Sequence, residues 1–313
     1  MNATSTMRMK VLAYVSGRRA GGFALSIDEQ QLLRFARFVD QSGYRGPLTV
    51  QLASRWALAS KGHRRLTAAR RIEVLRGFAR YCQTFDPATE IPPLSLFGPG
   101  HRRLTPHIFT DRELCSLVKA AACLNPPGGL RGPTCSTIFG LIASTGLRIS
   151  EATGLRRIDV DLDQGLLHIQ NTKFGKSRLV PLHPTSVKAM QHYVLRRERD
   201  PMSRSVDAFF VFDRGRPATT RNVEYAFEQL RQQLGWCSRG DHRYPRIHDI
   251  RHAFATHRLE RWYRAGIDID RDILALSTYL GHAKITDTYW YVTATPELLA
   301  LAARRAEVAG GAP

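Results

Sequence analysis

Residues 248–257 read HDIRHAFATH and predict a helix that carries reactive side chains on one face. His248 and Arg251 are three positions apart, so they project from the same side of a helix. An imidazole and a guanidinium that project together can hold one tetrahedral anion. Metal binding is the alternative, because His252 and His257 lie nearby. The spacing lacks the HExxH pattern of zinc enzymes, and we therefore expect no metal.

The segment STGLRISEATGL, residues 144–155, places Arg148 directly after a glycine turn and at the start of a helix. Glu151 follows three positions later, so a structural arginine–glutamate pair explains this pattern as well as a functional one does. The start of a helix also offers free N–H groups, which together with a guanidinium suit a phosphate. The residues alone leave both interpretations open.

Two further segments carry polar side chains in apolar surroundings. NTKFGKSRLVPL, residues 171–182, contains Lys173 and Lys176 at the turn of a predicted antiparallel hairpin, where exposed lysines are also ordinary. YLGHAKITDTYWYV, residues 279–292, holds a histidine after a glycine and two tyrosines that could equally be packing residues, namely His282, Tyr289 and Tyr291. Taken singly, each segment is a weak signal.

Together and in this order, the segments resemble the tyrosine recombinase (phage integrase) family, whose pattern of Arg, hairpin Lys, His-x-x-Arg, Leu-Gly-His and Tyr runs through residues 148–291. The resemblance is strongest between residues 105 and 300. It implies site-specific cleavage and rejoining of DNA strands by an integrase, recombinase or transposase of a mobile element. It also implies a mainly α fold with a small β-sheet in the catalytic domain, as a two-domain DNA clamp. The ending DTYWYVTATPELL, residues 287–299, looks closest to the transposase and integron-like branches.

The resemblance also implies which residues are catalytic. The nucleophilic tyrosine of the family lies nine residues after the Leu-Gly-His histidine, which selects Tyr291 over Tyr289. Lys176 is the alternative to Lys173 for the hairpin lysine. The catalytic residues implied in this way are Arg148, Lys173, His248, Arg251, His282 and Tyr291.

The chemistry of DNA cleavage explains why such residues are needed. The transition state places additional charge on the nonbridging phosphate oxygens, which Arg148 and Arg251 can bind with a planar, bidentate geometry. A tyrosine hydroxyl, with a pKa of about 10, needs nearby positive charge or a base to become a nucleophile. The leaving 5′ oxygen needs a proton, for which Lys173 is the candidate donor. A 3′-phosphotyrosine at Tyr291 would store the energy of the broken bond, so we expect no ATP, no metal and no other cofactor.

A proline-rich stretch, DPATEIPPLSLFGPGHRRLTP at residues 86–106, separates two helical regions and indicates a boundary between domains. A capping box is predicted at Thr110 and Glu113, where the second region begins. The predicted organisation is an N-terminal tail over residues 1–25, a helical core-binding DNA-binding domain over 26–90, a linker over 91–104 and a tyrosine recombinase catalytic domain over 105–313.

The chain is strongly basic. Its 46 Lys and Arg residues against 27 Asp and Glu residues give a formal net charge of +19, which favours a polyanionic partner, double-stranded DNA above all. If many of these charges contact phosphates, DNA affinity must fall steeply with salt. The candidates for DNA contacts are Arg70, Arg71, Arg76, Arg80, Arg221, Arg243 and Arg246.

The family resemblance further implies a homotetramer on two DNA sites, in which a C-terminal helix docks onto a neighbouring protomer. PELLALAARRAEVA, residues 296–309, is a plausible helix of this kind, although simple packing on its own domain explains it as well. Five cysteines without a Cys-x-x-Cys pair predict a reducing, cytoplasmic location. We expect no membrane association, because we see neither a long apolar run nor the apolar core of a signal peptide.

Three other functions compete with this interpretation. A type IB topoisomerase would use a similar tyrosine and arginine set to relax DNA without a requirement for a specific site. A non-catalytic, sequence-specific DNA-binding protein could keep the fold, but we expect it to have lost at least one of the six polar residues. A histidine-ligated metalloenzyme would contain stoichiometric metal and would be inhibited by EDTA.

Overall fold

A computed structural model describes residues 6–23, 25–59, 65–100, 103–170, 177–293 and 296–310 of the chain. These residues form two compact units, Met1–Arg103 and Leu104–Pro313, which we describe one at a time. The predicted mainly α fold with a small β-sheet is confirmed, since helices predominate and the strands are short. In the described part of the chain, no helix is long and apolar enough to cross a membrane.

The first unit is a cluster of helices around one apolar core. Aromatic side chains of three helices meet in that core, where the Phe35 ring lies 5.2 Å from that of Trp56 and 6.4 Å from that of Phe78. A short 3-10 turn follows the last helix, at Leu94–Phe97. The helices are α1 (Met7–Ala20), α2 (Ser26–Gln41), α3 (Val50–Leu58) and α4 (Arg65–Gln83).

The predicted N-terminal tail over residues 1–25 is wrong for residues 7–20, which form α1. Met7, Val11 and Val15 recur every four residues, so they line one face of the helix, and all three are buried in the core of this unit. The side chain of Thr6 caps the helix by accepting a hydrogen bond from the Met9 N–H at 3.3 Å. Tyr14 packs beside them, with its ring 5.7 Å from that of Phe78.

The residues expected to form the linker also contact the first unit. Leu96 and Phe97 pack partly buried against its core, and Arg70 Nε donates to the carbonyl of Gly100 at 3.0 Å. Arg76 Nη1 donates to the carbonyl of Pro92. Much of the predicted linker is therefore bound to the preceding helices and belongs to the first unit.

The second unit surrounds α6 with helices and places a small antiparallel sheet at one side. In that sheet, β2 pairs with β1 and with β3, and the β2–β3 register sets Ile169 opposite Arg178. This pairing agrees with the predicted hairpin. The elements are α5 (Asp111–Ala122), α6 (Arg131–Thr145), α7 (Ile149–Thr153), β1 (Val160–Asp161), β2 (Leu166–Ile169), β3 (Arg178–Pro181), α8 (Pro184–Arg197), α9 (Pro201–Arg204), β4 (Val211–Phe212), β5 (Arg216–Pro217), α10 (Thr220–Gln233), α11 (Ile247–Arg264), α12 (Ile269–Leu280), α13 (Thr286–Tyr289) and α14 (Pro296–Gly310).

Local sequence signals fix several ends of these helices. Thr110 and Glu113 form the predicted capping box at the start of α5, with the Glu113 N–H donating to Thr110 Oγ1 at 3.2 Å. Gly146 ends α6 in a left-handed conformation, with φ of 66°, which glycine adopts without strain. Arg246 precedes α11, and its N–H donates to Asp249 Oδ2 at 2.8 Å.

A separate apolar cluster fills the space between α11, α12 and α14. Leu259, Leu280 and Leu298 are fully buried there, and the ring of Tyr291 is buried with them. Helix α14 thus packs on its own domain through Leu298, while the neighbouring Leu299 is exposed. This cluster holds Tyr291 between the end of α12 and the middle of α11.

Candidate active site

The C-terminal end of α12 is the point where the candidate residues converge. The helix ends in a Schellman motif, in which Gly281 N–H donates to the carbonyl of Thr278 and His282 N–H to that of Ser277, both at 3.0 Å. The carbonyls that follow need other donors, because the helix itself supplies none. Three arginines supply them: Arg178 Nε donates to Tyr279 O at 2.8 Å, Arg251 Nη2 to Leu280 O at 2.7 Å and Arg148 Nη2 to Gly281 O at 3.0 Å.

Arg148 combines the structural and functional arrangements that its sequence left open. Glu151 accepts two hydrogen bonds from it, from the Arg148 N–H to Oε2 at 3.0 Å and from Nη1 to Oε1 at 2.7 Å. The guanidinium nevertheless keeps 29% of its side-chain surface exposed. An arginine has five N–H donors, so the pairing with Glu151 and Gly281 leaves donors for a ligand.

Arg251 is almost completely buried on α11. Its exposed fraction is 1%, and Nη1 donates to the carbonyl of Gly146 at 2.7 Å. Burial and the positive charge of Arg148 lower the pKa of the Arg251 guanidinium to about 10, so it stays charged at neutral pH. Two fixed guanidiniums of the same sign thus lie close together, an arrangement that an anion between them would stabilise.

Tyr291 lies against these two cations. Its side chain is only 3% exposed, and its ring lies parallel to that of His282 with the centroids 6.0 Å apart. Burial raises the pKa of the Tyr291 hydroxyl, while the charge of Arg251, a hydrogen bond to Arg251 and the charge of Arg148 act in the opposite direction. The hydroxyl is therefore protonated at neutral pH and close to both guanidiniums.

Tyr289 has a different environment, although it is only two residues away. Its side chain is 39% exposed, and its hydroxyl donates to Asp270 Oδ1 at 3.0 Å. That hydrogen bond raises the pKa of the Tyr289 hydroxyl. The tyrosine that the spacing rule selected, Tyr291, is the one that faces Arg251.

His282 and His252 flank the ring of Tyr291. His282 Nδ1 lies 2.7 Å from Thr288 Oγ1, which fixes the orientation of the ring. Burial and the charges of Arg251 and Arg148 lower the pKa of His282 to about 4. His252 lies 5.4 Å from Tyr291 between ring centroids, and burial lowers its pKa to about 2. Both imidazoles are therefore neutral at pH 7 and able to accept a proton.

His248 lies at the solvent side of the same helix. Its ring is exposed and stands 4.7 Å from that of His252, nearly at right angles to it. Protein atoms displace part of the water around it and, with the charges of Arg251 and Arg246, lower its pKa. His248 is therefore neutral at pH 7, as His282 is.

Lys173 and Lys176 lie outside the described residues, which resume at residue 177. Sequence analysis did not identify Arg178, the third arginine that donates to a carbonyl at the end of α12. In the sequence it reads as one residue of a strand, SRLVPL, and nothing local distinguishes it from a surface arginine. Glu151 was predicted as the partner of Arg148 alone, whereas it also pairs with Arg178 at 2.8 Å.

The candidate DNA contacts fall into two groups. Arg71 Nη1 donates to the carbonyl of Trp56 at 2.9 Å, and Arg246 Nη2 to Asp249 Oδ1 at 2.7 Å. With Arg70 and Arg76, which donate to the backbone carbonyls already described, these arginines have acceptors within the protein. The other candidates are exposed, namely Arg80, Arg221 and Arg243.

The histidines that suggested metal binding have separate partners. His257 Nδ1 lies 3.6 Å from Asp111 Oδ1, while His248 and His252 adjoin each other. Within the described part of the chain, no group of three His, Cys, Asp or Glu side chains converges as a metal site.

Comparison with known proteins gives matches over nearly the whole chain. The family model described as the Phage integrase family matches residues 120–297. The protein y4rB of Sinorhizobium fredii (strain NBRC 101917 / NGR234), named as an integrase/recombinase, is 37% identical over 97% of this chain and 98% of its own length. The tyrosine recombinase XerC of Chlamydia trachomatis serovar L2 is 30% identical over 75% of this chain and 69% of its own length.

Solved structures share the fold at lower identity. The Tn1549 transposon integrase in complex with circular intermediate DNA superposes with a TM-score of 0.65 at 20% identity, covering 90% of this chain and 94% of that chain. The XerH site-specific recombinase bound to its palindromic difH substrate has a TM-score of 0.65 at 19% identity, covering 87% of this chain and 77% of that chain.

Proposed function

Because the chain belongs to the phage integrase family of tyrosine recombinases, we propose that it cleaves and rejoins DNA at specific sites with Tyr291 as the nucleophile. The observation that carries the proposal is the burial of Tyr291, whose hydroxyl lies within the field of the Arg251 and Arg148 guanidiniums. A phenol in this position can reach a phosphate that the two guanidiniums hold.

Arg148 and Arg251 bind the scissile phosphate in this proposal. Each is fixed by a backbone carbonyl at the end of α12, so the guanidiniums are oriented before the substrate arrives. The negative charge that develops on the nonbridging oxygens then falls between two cations in a partly buried site, where electrostatic stabilisation is larger than in water. Lysine cannot replace either arginine, because its single ammonium group lacks the planar, bidentate geometry of a guanidinium.

Tyr291 attacks phosphorus after losing its proton. His282, with a pKa of about 4, is neutral at pH 7 and stacks on the tyrosine, and His248 lies on the other side of His252. His282 is placed to accept the phenolic proton, and His248 remains the second candidate. The bond from phosphorus to the 5′ oxygen breaks as the bond to Tyr291 forms, and the departing oxygen takes a proton, for which Lys173 remains the expected donor.

The 3′-phosphotyrosine retains the energy of the phosphodiester, so a 5′-hydroxyl from a second strand can attack it and release Tyr291. Exchange between two DNA sites would need four protomers, and we propose a homotetramer on two duplexes. The net charge of +19 favours duplex DNA as the partner. The 37% identity to y4rB over 97% of the chain supports a role in a mobile element, and we propose that the protein acts in the cytoplasm.

A nicked suicide substrate tests the nucleophile. Duplexes from the genomic neighbourhood of the gene are nicked close to candidate sites, so that cleavage releases a short strand and traps the covalent adduct. We expect an EDTA-resistant adduct that migrates slowly on a denaturing gel and maps by mass spectrometry to Tyr291. Tyr291→Phe should remove it, and the exposed neighbour supplies the matched control, Tyr289→Phe, which should keep it within about threefold of wild type.

Three results would contradict the proposal. An adduct on Tyr289 would transfer the nucleophile to the exposed tyrosine. Tight, salt-sensitive DNA binding without any adduct would indicate a binding protein. Adducts on every duplex, together with relaxation of supercoiled plasmid, would instead indicate a topoisomerase.

A further inference from the structure

We propose that Arg178 is a positioning residue for cleavage, which holds Glu151 and the end of α12 and thereby fixes the Arg148 guanidinium that faces the phosphate. The inference rests on the proposed function of this site. Arg178 itself does not face the substrate, since its side chain is 10% exposed whereas that of Arg148 is 29% exposed.

Arg178 binds Glu151 with both arms of its guanidinium. Nη1 donates to Oε1 at 3.1 Å and Nη2 to Oε2 at 2.8 Å, which is the bidentate geometry that fixes a carboxylate plane. Its Nε donates to the carbonyl of Tyr279 at 2.8 Å. Every nitrogen of this guanidinium therefore has an acceptor within the protein.

Glu151 is the common acceptor of two arginines. Its Oε1 accepts from Arg148 Nη1 at 2.7 Å in addition to Arg178, and only 7% of its side chain is exposed. Burial alone would raise the pKa of this carboxyl, but hydrogen bonds from Arg178 and from the Arg148 N–H, with both positive charges, lower it to about 2. The carboxylate is thus charged at every pH at which the enzyme would work.

Arg178 binds one of the two acceptors that orient Arg148 and lies close to the other. One is Glu151, and the other is the carbonyl of Gly281, two residues after the carbonyl that Arg178 holds. Without Arg178, Glu151 could rotate about its terminal torsion and the end of α12 would lose one of its three donors. Arg148 would then keep its charge but lose its fixed direction.

Glycine at position 281 makes the close approach of Arg178 feasible. Its φ is 67°, and a Cβ built there would lie 2.6 Å from Arg178 Nη1. The same residue ends α12 and provides the carbonyl for Arg148. The Leu-Gly-His segment therefore supplies the carbonyls that bind Arg251 and Arg148 as well as the candidate catalytic histidine.

The chain offers a matched control in a second arginine–glutamate pair of the same unit. Arg239 binds Glu113 with both arms, at 2.7 and 2.6 Å, but lies on a different loop and contacts none of the candidate catalytic residues in the described structure. Arg178→Met and Arg239→Met each remove a bidentate arginine and leave a buried carboxylate.

The experiment measures the rate of adduct formation on the nicked duplex with protein in excess, together with the Kd for DNA and the Tm. We expect Arg178→Met to lower the rate at saturating DNA by about 10- to 100-fold, because small displacements of a catalytic group have effects of this size. Its Kd should stay within about threefold, and Arg239→Met should change neither rate nor Kd by more than that. A folded Arg178→Met that cleaves as fast as Arg239→Met overturns the inference.

Two further measurements separate positioning from folding. If Arg178→Met does not fold, Arg178→Lys keeps the charge but not the fork, and it should show the same loss of rate at unchanged Kd. On a duplex with an uncharged methylphosphonate at the scissile position, the need for Arg148 is reduced, so the deficit of the Arg178 variant should shrink. An equal deficit on both duplexes means that Arg178 does not act through Arg148.

Failure of the proposed function gives a different result. In that case wild type and Arg239→Met form no adduct either. Failure of this inference alone leaves wild type and Arg239→Met active, whatever the rate of the Arg178 variants.

Discussion

Glu113 and Glu151 occupy the same local position in two parts of the second unit. Each is the third residue of its helix, Glu113 in α5 and Glu151 in α7, and each accepts from the N–H of the residue that precedes the helix. Each accepts two hydrogen bonds from an arginine that is remote in sequence, Arg239 or Arg178. Each carboxyl has its pKa lowered to about 2. By sequence pattern and charge, the two sites are alike.

Their surroundings separate them. Arg239 is 52% exposed, and its remaining hydrogen bonds run to Ile108 O and the ring of His107, so the cluster joins a loop to the start of a helix. Glu151 instead has a second cation, Arg148, whose spare donors lie beside Tyr291. The comparison teaches that one carboxylate motif can be purely structural or can orient a reactive group, depending on what its arginines face.

The largest expected difference between the two clusters concerns the arginines. Arg148→Lys should lower the rate of adduct formation by about 10²- to 10³-fold, because a bidentate donor to the developing charge is lost. Arg239→Lys should stay within about threefold of wild type. Single-turnover cleavage of the nicked duplex measures both rates, and equal losses would mean that the two clusters do not differ in function.

Neutralising the carboxylates should reveal a smaller difference. Glu151→Gln and Glu113→Gln each leave arginines without their charged partner, and each should cost about 1–3 kcal/mol in the free energy of unfolding. Only Glu151→Gln should also slow cleavage, by about tenfold or more, since Arg148 loses its orientation. Urea denaturation and single-turnover assays on the same preparations test this, and slow cleavage by Glu113→Gln would remove the distinction.

The two clusters should behave alike in acid. Both carboxyls have a folded-state pKa of about 2 against an ordinary value of 4.5, so the unfolded chain takes up their protons first. Their stabilisation is therefore complete above about pH 4.5 and is lost as the pH falls toward 2. Either glutamine variant should show a flatter dependence of unfolding free energy on pH in this window, by about 1–3 kcal/mol in total.

A histidine variant gives the control for that measurement. His282 has its pKa lowered from 6.5 to about 4, so its contribution is present above pH 6.5 and is lost between pH 6.5 and 4. His282→Asn should flatten the curve in this higher window and leave the window below pH 4 unchanged. If His282→Asn instead flattened the dependence of the unfolding free energy on pH below pH 4, the assignment of the pKa shifts would be contradicted.

The smallest expected effect concerns the helix cap beside Glu113. Thr110→Ala removes the side-chain oxygen that accepts from the Glu113 N–H at 3.2 Å, and should cost about 1 kcal/mol of stability. The rate of adduct formation should be unchanged. A slower Thr110→Ala enzyme, at a temperature where it is fully folded, would connect this cluster to catalysis.

Sequence patterns predicted much of the site because its parts are local. The i, i+3 spacing put His248 and Arg251 on α11, and nine residues of spacing after His282 selected Tyr291, which is buried beside Arg251. The same approach missed α1, whose apolar residues Met7, Val11 and Val15 are separated by polar and charged ones and are buried only by packing on the other helices.

The sequence by itself determined where several helices begin or end, and which residue types lie near those ends. A capping glutamate or a C-terminal glycine acts on backbone groups within a few residues, so its effect can be read from order alone. Tertiary structure alone decided which side chains satisfy the carbonyls that end α12. The three arginines come from 101, 29 and 133 residues away from their acceptors, and only the packing of β3, α11 and α7 around that helix end brings their charges together beside Tyr291.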